Sequence, residues 1–199
     1  MRRPRSCGRR ATGLALGVAL ALTGCASSTY DTERERWTRH EESYDRLASR
    51  AFIHATLKTE PFRRAYVEEY ARLFDMDGEQ TAAMLEVELE EAREAWVVVT
   101  SFYTPNQRAN DLNPAKGFWE VRLEGEGGAR ARPSRVTRLK ARDPAWQALY
   151  PYVHRHYTLY ELHFPVQDDE GRTLASTGEA LELVIAGPPA RLRLRWVVP

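Results

Sequence analysis

The residues best able to do chemistry stand in a few short groups. His154-Arg155-His156 is the one close histidine pair. In an extended segment both imidazoles point the same way, an arrangement that can share a copper or zinc ion. His163 has the opposite parity along a regular strand, so no third ligand comes from nearby, and the pair is read as a polar loop or strand edge. Asp75-Met76-Asp77-Gly78-Glu79 has the acids and glycine of half a calcium loop. Placing Gly78 at the loop glycine puts Leu73 and Met84 at the first and last ligand positions, where neither binds calcium. The stretch is read as a helix stop with Gly78 near its C-cap. Gly125-Glu126-Gly127-Gly128 lacks the third glycine of a dinucleotide loop and joins two strands, so no helix N-terminus waits for a phosphate. Glu86, Glu88, Glu90, Glu91 and Glu94 spread around a helix and are expected to project into water. No Gly-x-Ser-x-Gly elbow, His-Glu-x-x-His pair or phosphate-binding Gly-Lys loop occurs. The chain therefore reads as non-enzymatic, with no catalytic residue, metal or cofactor expected.

Two surfaces could bind something larger. Tyr150, Tyr152, Tyr157 and Tyr160 cluster around Pro151, and amphipathic rings of this kind are common in sugar and protein contacts. The bland alternative is a loop pinned to the body by its rings. Arg191, Arg193 and Arg195 alternate along the last strand. They could meet anionic glycans or lipid heads, or they protect an edge strand and pair with glutamates such as Glu182.

The remaining reactive group is Cys25, and its setting is informative. Residues 1–10 carry Arg2, Arg3, Arg5, Arg9 and Arg10 and no acid, and an uncharged run of Ala, Leu, Gly and Val follows to Leu22. A basic start, a short apolar centre and small closing residues describe a secretory signal peptide. The run is well short of the roughly 20 residues that span a bilayer. Its end, Leu22-Thr23-Gly24-Cys25, resembles the lipobox of bacterial lipoproteins. That resemblance implies a diacylglyceryl thioether on Cys25, cleavage after Gly24, acylation of the new amino terminus, and a membrane partner held through lipid. Two or three acyl chains, palmitate among them, would hold where a single chain is marginal. Ala26-Ser27-Ser28 lacks the Asp that retains many such proteins at the inner membrane of enteric bacteria. In a Gram-negative cell this implies the outer membrane, facing the periplasm or the surface.

Removing residues 1–24 leaves 175 of 199 residues and takes the formal charge from +1 to −4, because five arginines leave with the leader. The overall sign gives no support for nucleic-acid binding. Cys7 leaves with the leader and Cys25 is the lipid site, so the body has no disulfide and no thiol ligand. It must fold on its hydrophobic core.

The elements that would position these residues fall into two blocks. Residues 25–32 read as a lipidated tether. From Glu33, Trp37, Tyr44, Leu47, Ala48, Ala51 and Ala55 recur at three- and four-residue spacing, predicting a helix. Pro61 suits the start of a second helix, with Phe62, Ala65, Tyr66, Tyr70, Leu73 and Phe74 as its stripe. A third is predicted from about Glu79 to Ala95, with Ala82, Leu85, Leu89 and Ala92 inward. At Trp96 the period becomes 2. Residues 96–103 read as a strand buried on both faces, 104–117 as a polar loop, and 118–124, 135–140 and 157–166 as further strands. The last hairpin is predicted to pair Ile185 with Leu192, Leu183 with Leu194 and Leu181 with Trp196, setting Glu182 opposite Arg195.

The expected fold is α+β: a helical arm of about three helices over 33–95, then an antiparallel immunoglobulin-like β-sandwich over 96–199. Tyr160 to Pro165 and Leu181 to Pro188 also resemble the closing strands of uncharacterised bacterial lipoproteins, a likeness that brings no function with it. The expected role is that of an envelope lipoprotein with a structural or protein-interaction part to play and an envelope protein as partner. The alternative is a lipid-anchored binding protein for a small ligand or cell-wall glycan.

Overall fold

The computed structural model of the chain describes residues 28–199, so the leader and Leu22-Thr23-Gly24-Cys25 lie outside the described residues. Ser28 caps the first helix: its Oγ accepts the Asp31 amide at 3.0 Å, and α1 runs Thr29–Trp37. Residues 29–32, expected as tether, are therefore helical.

Residues 38–57 correct the reading more strongly. They form a β-hairpin, β1 (Thr38–Asp45) and β2 (Ala48–Leu57), in place of a helix. The three- and four-residue spacing rested mainly on alanines, which fit either period. The set that is buried is Ala51, Ile53, Ala55 and Leu57, at period 2. Leu47, expected to face inward, is 99% exposed at the hairpin turn beside Arg46, which takes a φ of 56°.

α2 (Glu60–Phe74) and α3 (Gly78–Glu94) follow as read, with Pro61 in the first turn of α2. Between them Asp75 closes α2 in the left-handed region, and Asp77 with Gln80 forms a capping box. Gly78 thus opens α3 and does not cap α2. The remaining elements are β3 (Ala95–Tyr103), β4 (Glu120–Gly125), β5 (Arg130–Ala131), β6 (Arg135–Leu139), the short α4 (Pro144–Leu149), β7 (Thr158–Pro165), β8 (Ala180–Gly187) and β9 (Ala190–Val197).

The chain is mixed α+β, with two antiparallel sheets of order β1-β2-β3-β7-β6 and β5-β4-β8-β9. The helices do not form an arm ahead of the strands. β1 and β2 belong to the same sheet as β3, and α2 and α3 are inserted between the neighbouring strands β2 and β3. One core takes side chains from α1, α2 and both sheets, including Tyr30, Phe62, Leu162 and Trp196. β3 is buried from Val97 through Phe102, as a central strand between two layers must be.

The closing hairpin has the expected register: Leu181 faces Trp196, Leu183 faces Leu194, Ile185 faces Leu192 and Glu182 faces Arg195. The ion pair nevertheless runs diagonally, from Glu182 to Arg193, while Arg195 reaches Glu126 at 3.9 Å. β9 is an edge strand, and β1 closes it. Glu41 accepts the Arg193 amide, Arg39 Nε donates to the Arg195 carbonyl at 3.1 Å, and Trp196 Nε1 donates to the Trp37 carbonyl at 2.8 Å. Edge N–H and C=O groups are thereby consumed, which blocks edge-to-edge pairing. The closure uses the backbone of residues 193 and 195, while the side chains of Arg193 and Arg195 pair with Glu182 and Glu126.

Gly125 ends β4 where the backbone of residue 174 passes over it, and a Cβ at that position would overlap the Leu174 carbonyl. The glycine is there for close approach, not for a phosphate.

Candidate functional site

Three strand ends meet at one end of the five-stranded sheet: Tyr103 of β3, Arg138-Leu139 of β6 and Thr158 of β7. Beyond them lie two adjoining clefts. One, of about 690 Å³, is lined by Tyr103, Arg108, Lys116, Arg138, Arg155 and Tyr157 among others. The second, of about 580 Å³, adds Lys140 and Arg142 and shares Arg138, Arg155 and Tyr157 with the first. Both lie in the size range of small-molecule sites.

Cations that reach no carboxylate concentrate in this region; elsewhere among the described residues they are Arg39, Arg46 and Arg191. Arg34, Arg64, Arg72, Arg93, Arg122 and Arg172 each hold a carboxylate within 4 Å. Arg108, Lys116, Arg138, Lys140, Arg142 and Arg155 are exposed and form no ion pair among the described residues. Asp111 is the single acid lining either cleft. Its Oδ1 already takes the Tyr160 hydroxyl at 3.3 Å and the Asn113 amide at 3.0 Å. A concave surface of one sign focuses its field on an incoming counter-charge.

The loop that carries Arg108 and Lys116 is anchored, although its composition is polar. Ala109 and Leu112 are fully buried. Trp119 Nε1 donates to the Ala109 carbonyl, and the Leu112 amide donates to the Tyr160 hydroxyl. A 3₁₀ turn over Pro114–Lys116, capped by Asn113, sets Lys116 on the rim.

The four tyrosines singled out in the sequence do not gather on one surface. Tyr150 is fully buried against Phe62, and Tyr160 sits in the core, where it ties down the cleft loop. Tyr152 is half-buried, shares a 2.7 Å hydrogen bond with the Thr56 hydroxyl, and stacks on His54 at 5.4 Å. Burial pushes the Tyr30, Tyr66, Tyr150 and Tyr152 hydroxyls well above their ordinary value, so they stay protonated. Tyr157 alone opens onto the clefts, its ring 5.3 Å from that of Tyr103.

His54 lies among His40, His154, Tyr152 and Tyr157, with Glu42 as the nearby acid. Burial first, then the fields of His40 and His154, lower its pKa from 6.5 to about 4. The unfolded chain therefore takes up this proton before the folded protein does. The stability linked to His54 is complete above pH 6.5 and is lost as the pH falls towards about 4. Denaturant unfolding of wild type and His54→Gln across that window should give curves that converge on acidification.

A second charged cluster lies between α3 and the sheet; it turns Glu88 and Glu91 inward, while Glu86, Glu90 and Glu94 are exposed as expected. Arg63 is fully buried; its Nε donates to the Lys58 carbonyl at 3.0 Å, and its Nη1 bonds the carboxylates of Glu88 and, at 2.8 Å, Glu91. Lys58 reaches Glu88 at 3.0 Å and lies over the Tyr66 ring at 5.3 Å. Glu91 continues to His163 at 3.5 Å, and His163 to Glu161 at 2.8 Å. Burial alone would raise the Glu161 carboxyl. The His163 hydrogen bond and the Lys58 charge outweigh it and hold the group below its usual value. Glu88 and Glu91, the carboxylates that α3 contributes, each pair with Arg63 and Lys58, so the cluster acts as a clamp on α3. Leu85 and Leu89 of that helix are only half-buried and Ala82 is exposed, and α3 has no fully buried residue.

Elsewhere, His156 Nε2 accepts Arg155 Nε at 3.0 Å, and His154 meets Tyr157 edge-on at 5.8 Å. Among the described residues no three His, Cys, Asp or Glu side chains converge as a metal site would require. No helix among them is long and apolar enough to cross a membrane. The six cleft cations escaped the sequence reading because the overall charge is balanced. The signal was local: Arg135-Val136-Thr137-Arg138-Leu139-Lys140-Ala141-Arg142 has four cations and no acid.

No family model and no curated protein matches the chain. A crystal structure of a protein of unknown function from Burkholderia pseudomallei K96243 is similar at a TM-score of 0.47 and 14% identity, over 84% of this chain and 81% of that one.

Proposed function

We propose that this chain is a lipid-anchored binding protein of the bacterial cell envelope, non-enzymatic, with a body that presents the cation-lined cleft to a ligand. The observation that carries the binding role is the concentration of six unpaired cations around two adjoining clefts, in a body whose formal charge is −4. Anchoring rests on Leu22-Thr23-Gly24-Cys25, with Cys25 lipidated and, in a Gram-negative cell, the outer membrane as the site. The body is an immunoglobulin-like sandwich on this reading. In support, β2-β3-β7-β6 and β5-β4-β8-β9 follow the A-B-E-D and C′-C-F-G orders of that fold, with β1 added at an edge.

A structural role with an envelope protein partner is the second reading. It draws support from the far end of the α2–α3 pair, where Leu73 and Phe74 of α2 are exposed.

Cys25→Ser tests the anchor. The variant should leave the membrane fraction and keep the far-UV spectrum of the wild type, since no other part of the chain depends on that sulfur. Retention in the membrane pellet after a salt wash would remove the lipid-anchor half of the proposal.

A further inference from the structure

We infer, resting on the binding-protein reading, that the cleft pair takes an anionic glycan, with sugar faces on Tyr103 and Tyr157 and acidic substituents held by Arg138 and Arg155. Those two arginines line both clefts, so they sit where the clefts join. Arg108 and Lys116 flank them on one side, and Lys140 and Arg142 on the other. Charge is thus spread along a path, which suits a chain with several acidic groups better than one compact anion.

The ring pair supplies what a simple anion site would not need. Tyr103 and Tyr157 are half-buried, their centroids 5.3 Å apart, and each also packs on a neighbour, Phe52 and His154 respectively. Two tyrosines held in place offer apolar faces to C–H groups of a pyranose and hydroxyls at the rim, at small entropic cost. Guanidinium groups match carboxylate, sulfate and phosphate oxygens through paired N–H donors. The acidic substituents of a glycan would complete the ion pairs that the protein's own carboxylates do not.

The test uses the mature lipidated protein in detergent micelles and three probes: a heparin-derived hexasaccharide, maltohexaose and inorganic polyphosphate. The first has sugar and charge, the second sugar alone, the third charge alone. The heparin fragment is expected to bind at least about tenfold tighter than maltohexaose, because each charge-assisted hydrogen bond is worth roughly a factor of ten, and tighter than polyphosphate, which has no pyranose face for Tyr103 and Tyr157. Its affinity should fall as salt rises. Arg138→Glu with Arg155→Glu should abolish binding, and Tyr157→Ala should weaken the heparin fragment while leaving polyphosphate unchanged. Arg138 and Arg155 are exposed and Tyr157 is half-buried, and circular dichroism with thermal melting verifies the fold of each variant. Equal binding of maltohexaose, insensitive to the arginine changes, would overturn the anionic inference and leave the binding-protein reading standing. Equal binding of polyphosphate, insensitive to Tyr157→Ala, would overturn the glycan and leave a bare anion site. If none of the three shifts the melting temperature or binds, both readings fall.

Discussion

Arg63→Met is expected to destabilise the protein by about 3 kcal/mol, since removing one member of a buried ion pair strands its partners. For a body of this size that lowers the melting temperature by roughly 6–12 °C. Arg63 has no exposed surface, whereas Glu88 and Glu91 retain 13% and 29% of theirs. The stranded carboxylates therefore keep some access to water, and Lys58 still reaches Glu88 at 3.0 Å. For both reasons the expected cost lies at the low end of the range for buried pairs. Adding Glu88→Met should recover part of the loss, because replacing both partners by apolar groups removes the unpaired charge. Urea unfolding of the three proteins measures this directly. A single variant as stable as the wild type would mean that the helices are held on the sheet by apolar packing alone.

Trp196→Ala should cost more, about 3–5 kcal/mol, as large aromatic truncations in a core do. Trp196 is 1% exposed, faces Leu181 across the β8–β9 hairpin, and reaches the Trp37 carbonyl at 2.8 Å. One side chain thus closes the four-stranded sheet on the junction between α1 and β1. The substitution leaves a cavity and also orphans that carbonyl. Trp196→Phe keeps much of the volume but loses the donor, so its smaller loss separates packing from the hydrogen bond. Equal stability of wild type and Trp196→Ala would show that this junction is not part of the cooperative core.

How much of this could be read beforehand varied with the strength of the local pattern. The β8–β9 register was legible because six large apolar residues recur at period 2, strictly against arginines in β9, and a one-residue slip would expose all six. β3 was legible as a strand covered on both sides because its apolar run is nearly continuous, broken only by Thr100 and Ser101. β1 and β2 were misread because alanines satisfy helical and extended periods alike, and pairing with β3 decides between them. The inward turn of Glu88 and Glu91 was hidden because their partners, Arg63 and Lys58, are 25 to 33 positions away and in another element. Of the tyrosines read as a possible binding surface, Tyr157 lines the clefts, while Tyr150 and Tyr160 go into the core. The cleft cations lie in three separate segments, and only the fold brings Arg108, Arg138 and Arg155 to one place.

The central claim is that the cation-lined cleft is where this protein binds its ligand. It is tested most directly by NMR titration of the mature protein with the heparin-derived hexasaccharide at low salt, following the aromatic signals of Tyr103 and Tyr157 and the guanidinium signals of Arg138 and Arg155. The expected result is saturable shifts at these four residues, with none at Phe74 on the far end of the α2–α3 pair. Shifts confined to that far end, or none at the four cleft residues at saturation, would contradict it.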